Sequence, residues 1–300
     1  LTSGNAYNDG FKTALKCDIT TADTSLSSGQ KFFIQQIIEA QNLQVLKFGT
    51  SSAEKLTLSF WVKATKTGTN VVRMYAYDDD RSCSQTYTIS SSDTWEKKVI
   101  NFPADTTGVI DNDNGHGIQI SWALMAASNF QSGTLATSWA ANTSATDFGG
   151  QVNHMDSTSN TWHITGVQLE VGEFTSSTIS PFQHESYGDN FLRCLRYYHD
   201  DALYNPGNGD RAVMEALIPN DGNNFRHLWK QFPVPMRAAP STSDVIFRDD
   251  TGDSTTQSGQ DDSQLRTILT ADLYGRANVG SGDNDTNSMY YHGAKFDAEL

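Results

Sequence analysis

A chain of 300 residues is long enough for one large or two medium domains, each able to bury a core without disulfides or metals to staple it. Hydrophobic residues make up 37% and aromatics 11%, which excludes a disordered chain, while 35 acidic against 21 basic residues leave a net charge of −14. That acidity, without a basic stripe or any run near the ~18 apolar residues of a membrane span, excludes nucleic-acid binding and membrane insertion as expected roles.

Cys17, Cys83 and Cys194 are too few, and odd in number, for a disulfide framework; they read as idle or buried thiols. No signal peptide is visible, and the opening at Leu1 points to a processed or trimmed N-terminus. Ser, Thr, Asn, Asp and Gly are abundant while helix-forming runs are scarce, which favours short strands joined by many turns.

In chain order, residues 31–41 (KFFIQQIIEAQ) mix apolar and polar positions. Residues 56–62 alternate: Leu56, Leu58, Phe60 and Val62 point one way, and Thr57, Ser59 and Trp61 the other. Residues 71–77 repeat the pattern, with Val72, Met74 and Ala76 on a core face and Arg73, Tyr75 and Tyr77 opposite. Residues 111–117 (DNDNGHG) signal a turn, after which Ile118, Ile120, Trp122 and Leu124 face inward. Residues 162–170 (WHITGVQLE) predict a further strand, kinked or bulged at Gly166.

Residues 189–199 (DNFLRCLRYYH) break the pattern: Asp189 can cap a helix, and Phe191, Leu192, Leu195 and Tyr198 fall on one helical face. Strand signals then resume at 211–218, 225–232, 265–274 and 288–296, interrupted by PVPMRAAP (233–240) and by the acidic, exposed-looking loop 249–262. The expected fold is therefore all-β. A jelly-roll β-sandwich over 1–175 is followed by a linker with one short helix over 176–200 and a smaller β-sandwich domain over 201–300.

Several stretches together resemble a recurrent bacteriophage family of tail fibre and related virion appendage proteins, whose members carry a carbohydrate-binding-module-like jelly roll. They are TLSFWVKA (57–64), TWEKK (94–98), WHITGVQLEVGEFT (162–175), RCLRYY (193–198), PMRAAP (235–240) and FDAEL (296–300). The resemblance spans nearly everything after about residue 30. It implies a virion location, a homotrimeric appendage and contacts with other virion proteins, and it brings no catalytic residues. FDAEL reads as a natural C-terminus, so an upstream virion-anchoring region is expected before Leu1. A capsid decoration protein or head fibre is the alternative within this setting, and a polysaccharide-degrading tailspike is the competing class.

Candidate sites follow from residue types. No nucleophile elbow, P-loop, zinc-protease helix or C-x-x-C is present, so the chain is expected not to be an enzyme. The acidic pairs Asp78–Asp80, Asp249–Asp250 and Asp261–Asp262 sit in loop-like sequence and read as solvated, as does the His199, Asp200 and Asp201 group. No metal site is expected. A jelly roll of this kind leaves room for a structural calcium ion, for which the sequence identifies no ligands. Arg193 and Arg196 beside Tyr197 and Tyr198 read as a contact holding the two domains together rather than as an anion site.

The remaining candidate is a glycan platform. If Trp61 shares a sheet face with Tyr75 and Tyr77, three rings could stack on sugar C–H faces, with Arg73, Gln168 and Glu170 binding hydroxyls. Aromatic residues are also enriched in subunit interfaces, and packing under a loop or against a second protomer is the stronger reading of the same rings.

Overall fold

The computed structural model describes residues 1–200, 214–216, 225–239, 246–248, 254–256, 264–268, 272–278, 289–293 and 295–298. Strands dominate these residues, so the all-β class holds, and the chain divides into two compact units, Leu1–Gln183 and His184–Leu300.

The first unit holds β1 (Leu15–Asp18), β2 (Lys31–Glu39), β3 (Leu56–Ala64), β4 (Gly68–Ala76), β5 (Arg81–Ile89), β6 (Glu96–Phe102), β7 (His116–Ala126), β8 (Ala140–Ala141) and β9 (Thr161–Val171). Antiparallel pairing builds a four-stranded sheet in the order β1-β9-β3-β6 and a five-stranded sheet in the order β2-β7-β4-β5-β8. The inward positions read from the alternation meet in one core. Leu56, Leu58, Phe60 and Val62 of one sheet pack with Val72, Met74, Ala76, Ile118, Ile120, Trp122 and Leu124 of the other. Phe60 meets Tyr87 and Trp122 edge-on across the core, with ring centroids 5.2 and 5.8 Å apart. Each such side chain, fully buried, contributes about 1.5–3 kcal/mol.

Gly166 is the expected bulge. The β3–β9 register shifts between Ser59 and Trp61, and Gly166 takes φ +58, in the left-handed region open to a residue without Cβ. The bulge also makes room for Phe11: a Cβ on Gly166 would lie 2.5 Å from the Phe11 Cζ. Gly166→Ala should therefore cost on the order of 2 kcal/mol and loosen the N-terminal segment, read as a lower urea midpoint and greater quenching of tryptophan emission.

That segment, including the short helix α1 (Asn5–Asn8), covers the outer face of the four-stranded sheet. Ala6, Phe11, Trp61 and Trp95 form a second small core there, joined by Leu1, Ala14 and Phe182. A bidentate ion pair holds the loop after β6: Arg81 Nε and Nη2 lie 2.6 and 3.0 Å from the Asp105 oxygens, and Nη2 also donates to the Trp139 carbonyl at 3.1 Å. Burial pushes the Asp105 carboxyl up, but Arg81 and the Gly108 and Thr107 amides outweigh it and hold it below the usual range.

In the second unit, helix α2 (Tyr187–Leu195) is capped by Ser186, whose hydroxyl accepts from the Asp189 amide and donates to the Asp189 carboxylate. Asp189 lies in the first turn rather than at the cap, and the helix stops short of 199 because Tyr198–Asp200 is a strand, β10, paired with a strand at Lys295–Asp297. Of the four apolar residues expected on one helical face, Leu195 is buried while Phe191 and Leu192 are about half exposed. Arg193 pairs with Glu185 at 2.8 Å inside this unit.

The remaining strands are β11 (Met214–Ala216), β12 (Phe225–Gln231), β13 (Ile246–Arg248), β14 (Ser254–Thr256), β15 (Gln264–Ile268), β16 (Asp272–Asn278), β17 (Met289–Gly293) and β18 (Lys295–Asp297). They form the sheets β10-β18, β11-β17-β13-β14 and β12-β16-β15. The expected strand over 265–274 is two strands of a hairpin, β15 and β16. Phe232, Met236 and Phe296 are buried, and Arg237 Nε donates to the Ala298 carbonyl at 2.7 Å, which ties residues 235–239 to 296–298. The acidic loop 249–262, apart from β14, and Asp201 lie outside the described residues.

Candidate functional site

Alternation along β4 sends Arg73 and Tyr75 to the outer face of the five-stranded sheet, and Tyr77 follows directly, its amide bonded to the Gly117 carbonyl at 3.0 Å. In register beside them, β7 brings Gln119 opposite Tyr75 and Ser121 opposite Arg73, while β5 brings Ser82 and Ser84. One end of this face is sealed by the segment after β7: Phe130, Leu135 and Phe148 pack on Phe33, Val71, Ala123 and Ala126. The other end carries the tyrosines.

Arg73 is the pivot. It is only 7% exposed, its Nε lies 2.8 Å from Asp147 Oδ1, its Nη2 donates to Asn142 Oδ1 at 2.6 Å, and its guanidinium sits 4.6 Å from the Tyr75 ring centroid. Burial lowers its pKa and raises that of Asp147, each against the pull of the opposite charge. The Tyr75 hydroxyl donates to Asp80 Oδ1 at 2.9 Å, and burial, with that bond, pushes its pKa up to about 12. The Tyr75 and Tyr77 rings stand nearly perpendicular with centroids 6.0 Å apart, and His116 meets Tyr77 edge-on at 4.8 Å. Tyr77 is 56% exposed. The result is a fixed aromatic corner bordered by amide and hydroxyl groups, able to stack on an apolar ring face and hydrogen-bond its rim.

The six sequence candidates do not share one face. Arg73, Tyr75 and Tyr77 come together, whereas Trp61, Gln168 and Glu170 lie in the four-stranded sheet on β3 and β9. The expected sharing of a face by Trp61 with Tyr75 and Tyr77 is thus corrected, because β3 and β4, though consecutive, enter different sheets. Trp61 is 8% exposed beneath Ala6 and Phe11. Gln168 Nε2 donates to Glu170 at 2.6 Å and to the Ser180 carbonyl at 3.2 Å, so its donor group is engaged. Arg73, expected to bind hydroxyls, spends its charge on Asp147.

Asp80, expected as a solvated loop carboxylate, instead accepts from Tyr75 in the corner, which His116, Gln119, Asn142 and Asp147 also join. Gln119 was legible as the polar residue between Ile118 and Ile120; Asn142 and Asp147 arrive on a loop with no such period. Among the described residues no group of three or more His, Cys, Asp or Glu side chains is placed to hold a metal ion. In the 111–117 turn Asp113 accepts from the Gly115 amide, and the Asp111 amide donates to Asp78 in the turn after β4. No protein-family model and no curated protein matches the sequence.

Proposed function

We propose that this protein is a non-enzymatic structural component of a bacteriophage virion, a tail fibre or similar appendage, whose first unit is a jelly-roll β-sandwich displaying a host-surface glycan adhesion face. The strand order supports the jelly roll: β1, β3, β6 and β9 fill one sheet while β2, β4, β5, β7 and β8 fill the other, so the chain crosses the core repeatedly. Fold alone confers no ligand, and the observation that carries adhesion is the Tyr75–Tyr77 corner, with Tyr77 exposed and Tyr75 half-buried over Arg73. The six motif stretches support the virion setting, including docking on other virion proteins.

A stacked ring contributes on the order of 1 kcal/mol beyond area burial, so one site is weak, and three copies on a homotrimer gain avidity through effective concentration. Tyr77→Ala should leave the urea midpoint unchanged, since the ring is mostly exposed, and weaken monovalent binding to host envelope polysaccharide about fivefold. Binding unchanged by Tyr77→Ala would remove this corner as the adhesion site. Light scattering should give three times the 33.0 kDa chain mass; a monomer at micromolar concentration would count against the trimer.

A further inference from the structure

The aromatic corner sits in a strongly negative setting. The turn after β4 carries Asp78, Asp79 and Asp80, and the turn before β7 adds Asp111 and Asp113, tied to the first by the 2.9 Å bond from the Asp111 amide to Asp78 Oδ2. None of these five carboxylates forms an ion pair among the described residues. The nearby cations are committed elsewhere: Arg73 to Asp147, Arg81 to Asp105, and Lys31 over the Phe130 ring. Mutual repulsion adds at Asp78, whose carboxyl is raised first by burial and further by Asp111 and Asp113, against the pull of the Asp111 amide and of His116. The Tyr77 ring lies among these groups: Asp78 follows it in sequence, Tyr75 beside it bonds Asp80, and His116 beside it is three residues from Asp113.

We infer that this face selects its sugar by charge, preferring a hexosamine with a free ammonium group over a neutral sugar and turning away uronic and sialic acids. The inference rests on the reading of this corner as a glycan site. Stacking on the tyrosines is indifferent to charge, so it supplies affinity to any sugar with an apolar ring face. The carboxylates then divide the candidates: an ammonium held near Asp78 or Asp80 is attracted, and a sugar carboxylate in the same place meets like charge and, among the described residues, no free guanidinium to receive it.

The test is calorimetry on the full chain with three matched probes: a glucosamine tetramer, an N-acetylglucosamine tetramer and a galacturonic acid tetramer, at a pH where the amines are protonated. The expected order is amino over N-acetyl over uronate, with steps of about fivefold at low salt that shrink once the Debye length falls below ~10 Å. Asp78→Asn with Asp80→Asn keeps an oxygen for the Asp111 amide and the Tyr75 hydroxyl, and it should compress the amino–uronate gap. Uronate binding as tight as amino sugar, and lost in Tyr77→Ala, would overturn charge selection while leaving the glycan site standing. Binding of none of the three, or binding indifferent to Tyr77→Ala, would overturn the site itself and the inference with it.

Discussion

Asp147→Ala is expected to destabilise the first unit by about 3–5 kcal/mol, the range for removing one partner of a buried ion pair. The side chains of Arg73 and Asp147 are 9% and 4% exposed, so the guanidinium left behind would have no water to turn to. Burial already pushes both groups toward their neutral forms, lowering Arg73 and raising Asp147, so desolvation outweighs the attraction between them. The pair as a whole is thus worth little while either half alone is costly. Replacing both, Arg73→Met with Asp147→Leu, should therefore recover most of the loss. Urea unfolding followed by tryptophan emission reads this unit well, because five of the six tryptophans, Trp61, Trp95, Trp122, Trp139 and Trp162, lie within it. A loss below about 1 kcal/mol for Asp147→Ala would mean that Asp80 takes over as the counter-charge or that water reaches Arg73. The double variant adds a functional reading. Arg73 supports the Tyr75 ring and ties down the loop bearing Asn142, so the glycan binding proposed for this corner should weaken in it even where stability returns.

What the sequence could and could not tell follows from the reach of local patterns. Alternation fixes which way a side chain points relative to its own strand, and Leu58, Phe60, Met74 and Ile120 all lie where that period sends them. It says nothing about which sheet a strand joins. Trp61 and Tyr75 both point away from the core, on strands separated by residues 65–67, a length that suits a hairpin. In the fold β3 pairs with β6 and β9 while β4 pairs with β5 and β7, so the two rings face opposite sides of the unit. Non-local pairing of this kind is decided by the whole core, not by the link. Gly166 was readable because a glycine inside a strand pattern has few explanations; its occupant, Phe11, arrives from 155 residues away and left no local trace. The apolar period places the helix cap at Asp189; the cap lies three residues earlier, because Ser186, at capping-box spacing from Asp189, takes it instead.

Acid should weaken the first unit chiefly through His154, with His163, also lowered by burial, adding in the same direction. His154 is fully buried, its Nε2 lies 2.6 Å from Asn70 Oδ1, and its Nδ1 has no hydrogen-bond partner. Asn70 Oδ1 also accepts from Gln151 Nε2, at 3.3 Å, which makes it the acceptor and Nε2 the protonated nitrogen of a neutral ring. A second proton would have to sit on Nδ1, facing no acceptor. Burial, with the charge of Lys66 adding and that of Asp156 opposing, lowers the His154 pKa from 6.5 to about 4. Between those values the unfolded chain binds a proton that the folded unit does not, so the contribution is complete above pH 6.5 and is lost as pH falls toward 4, a total of about 3 kcal/mol. Asp105, held below its usual range, adds to the loss only at lower pH, and Asp147, held above it, works in the opposite direction. His154→Gln separates these terms, because it keeps a donor for Asn70 and removes the titration. The wild-type unit should lose about 3 kcal/mol more than His154→Gln between pH 7 and pH 4, measured by urea unfolding at each pH. Parallel curves for the two proteins would show that His154 charges in place, with Asn70 and Gln151 rearranging to receive the proton.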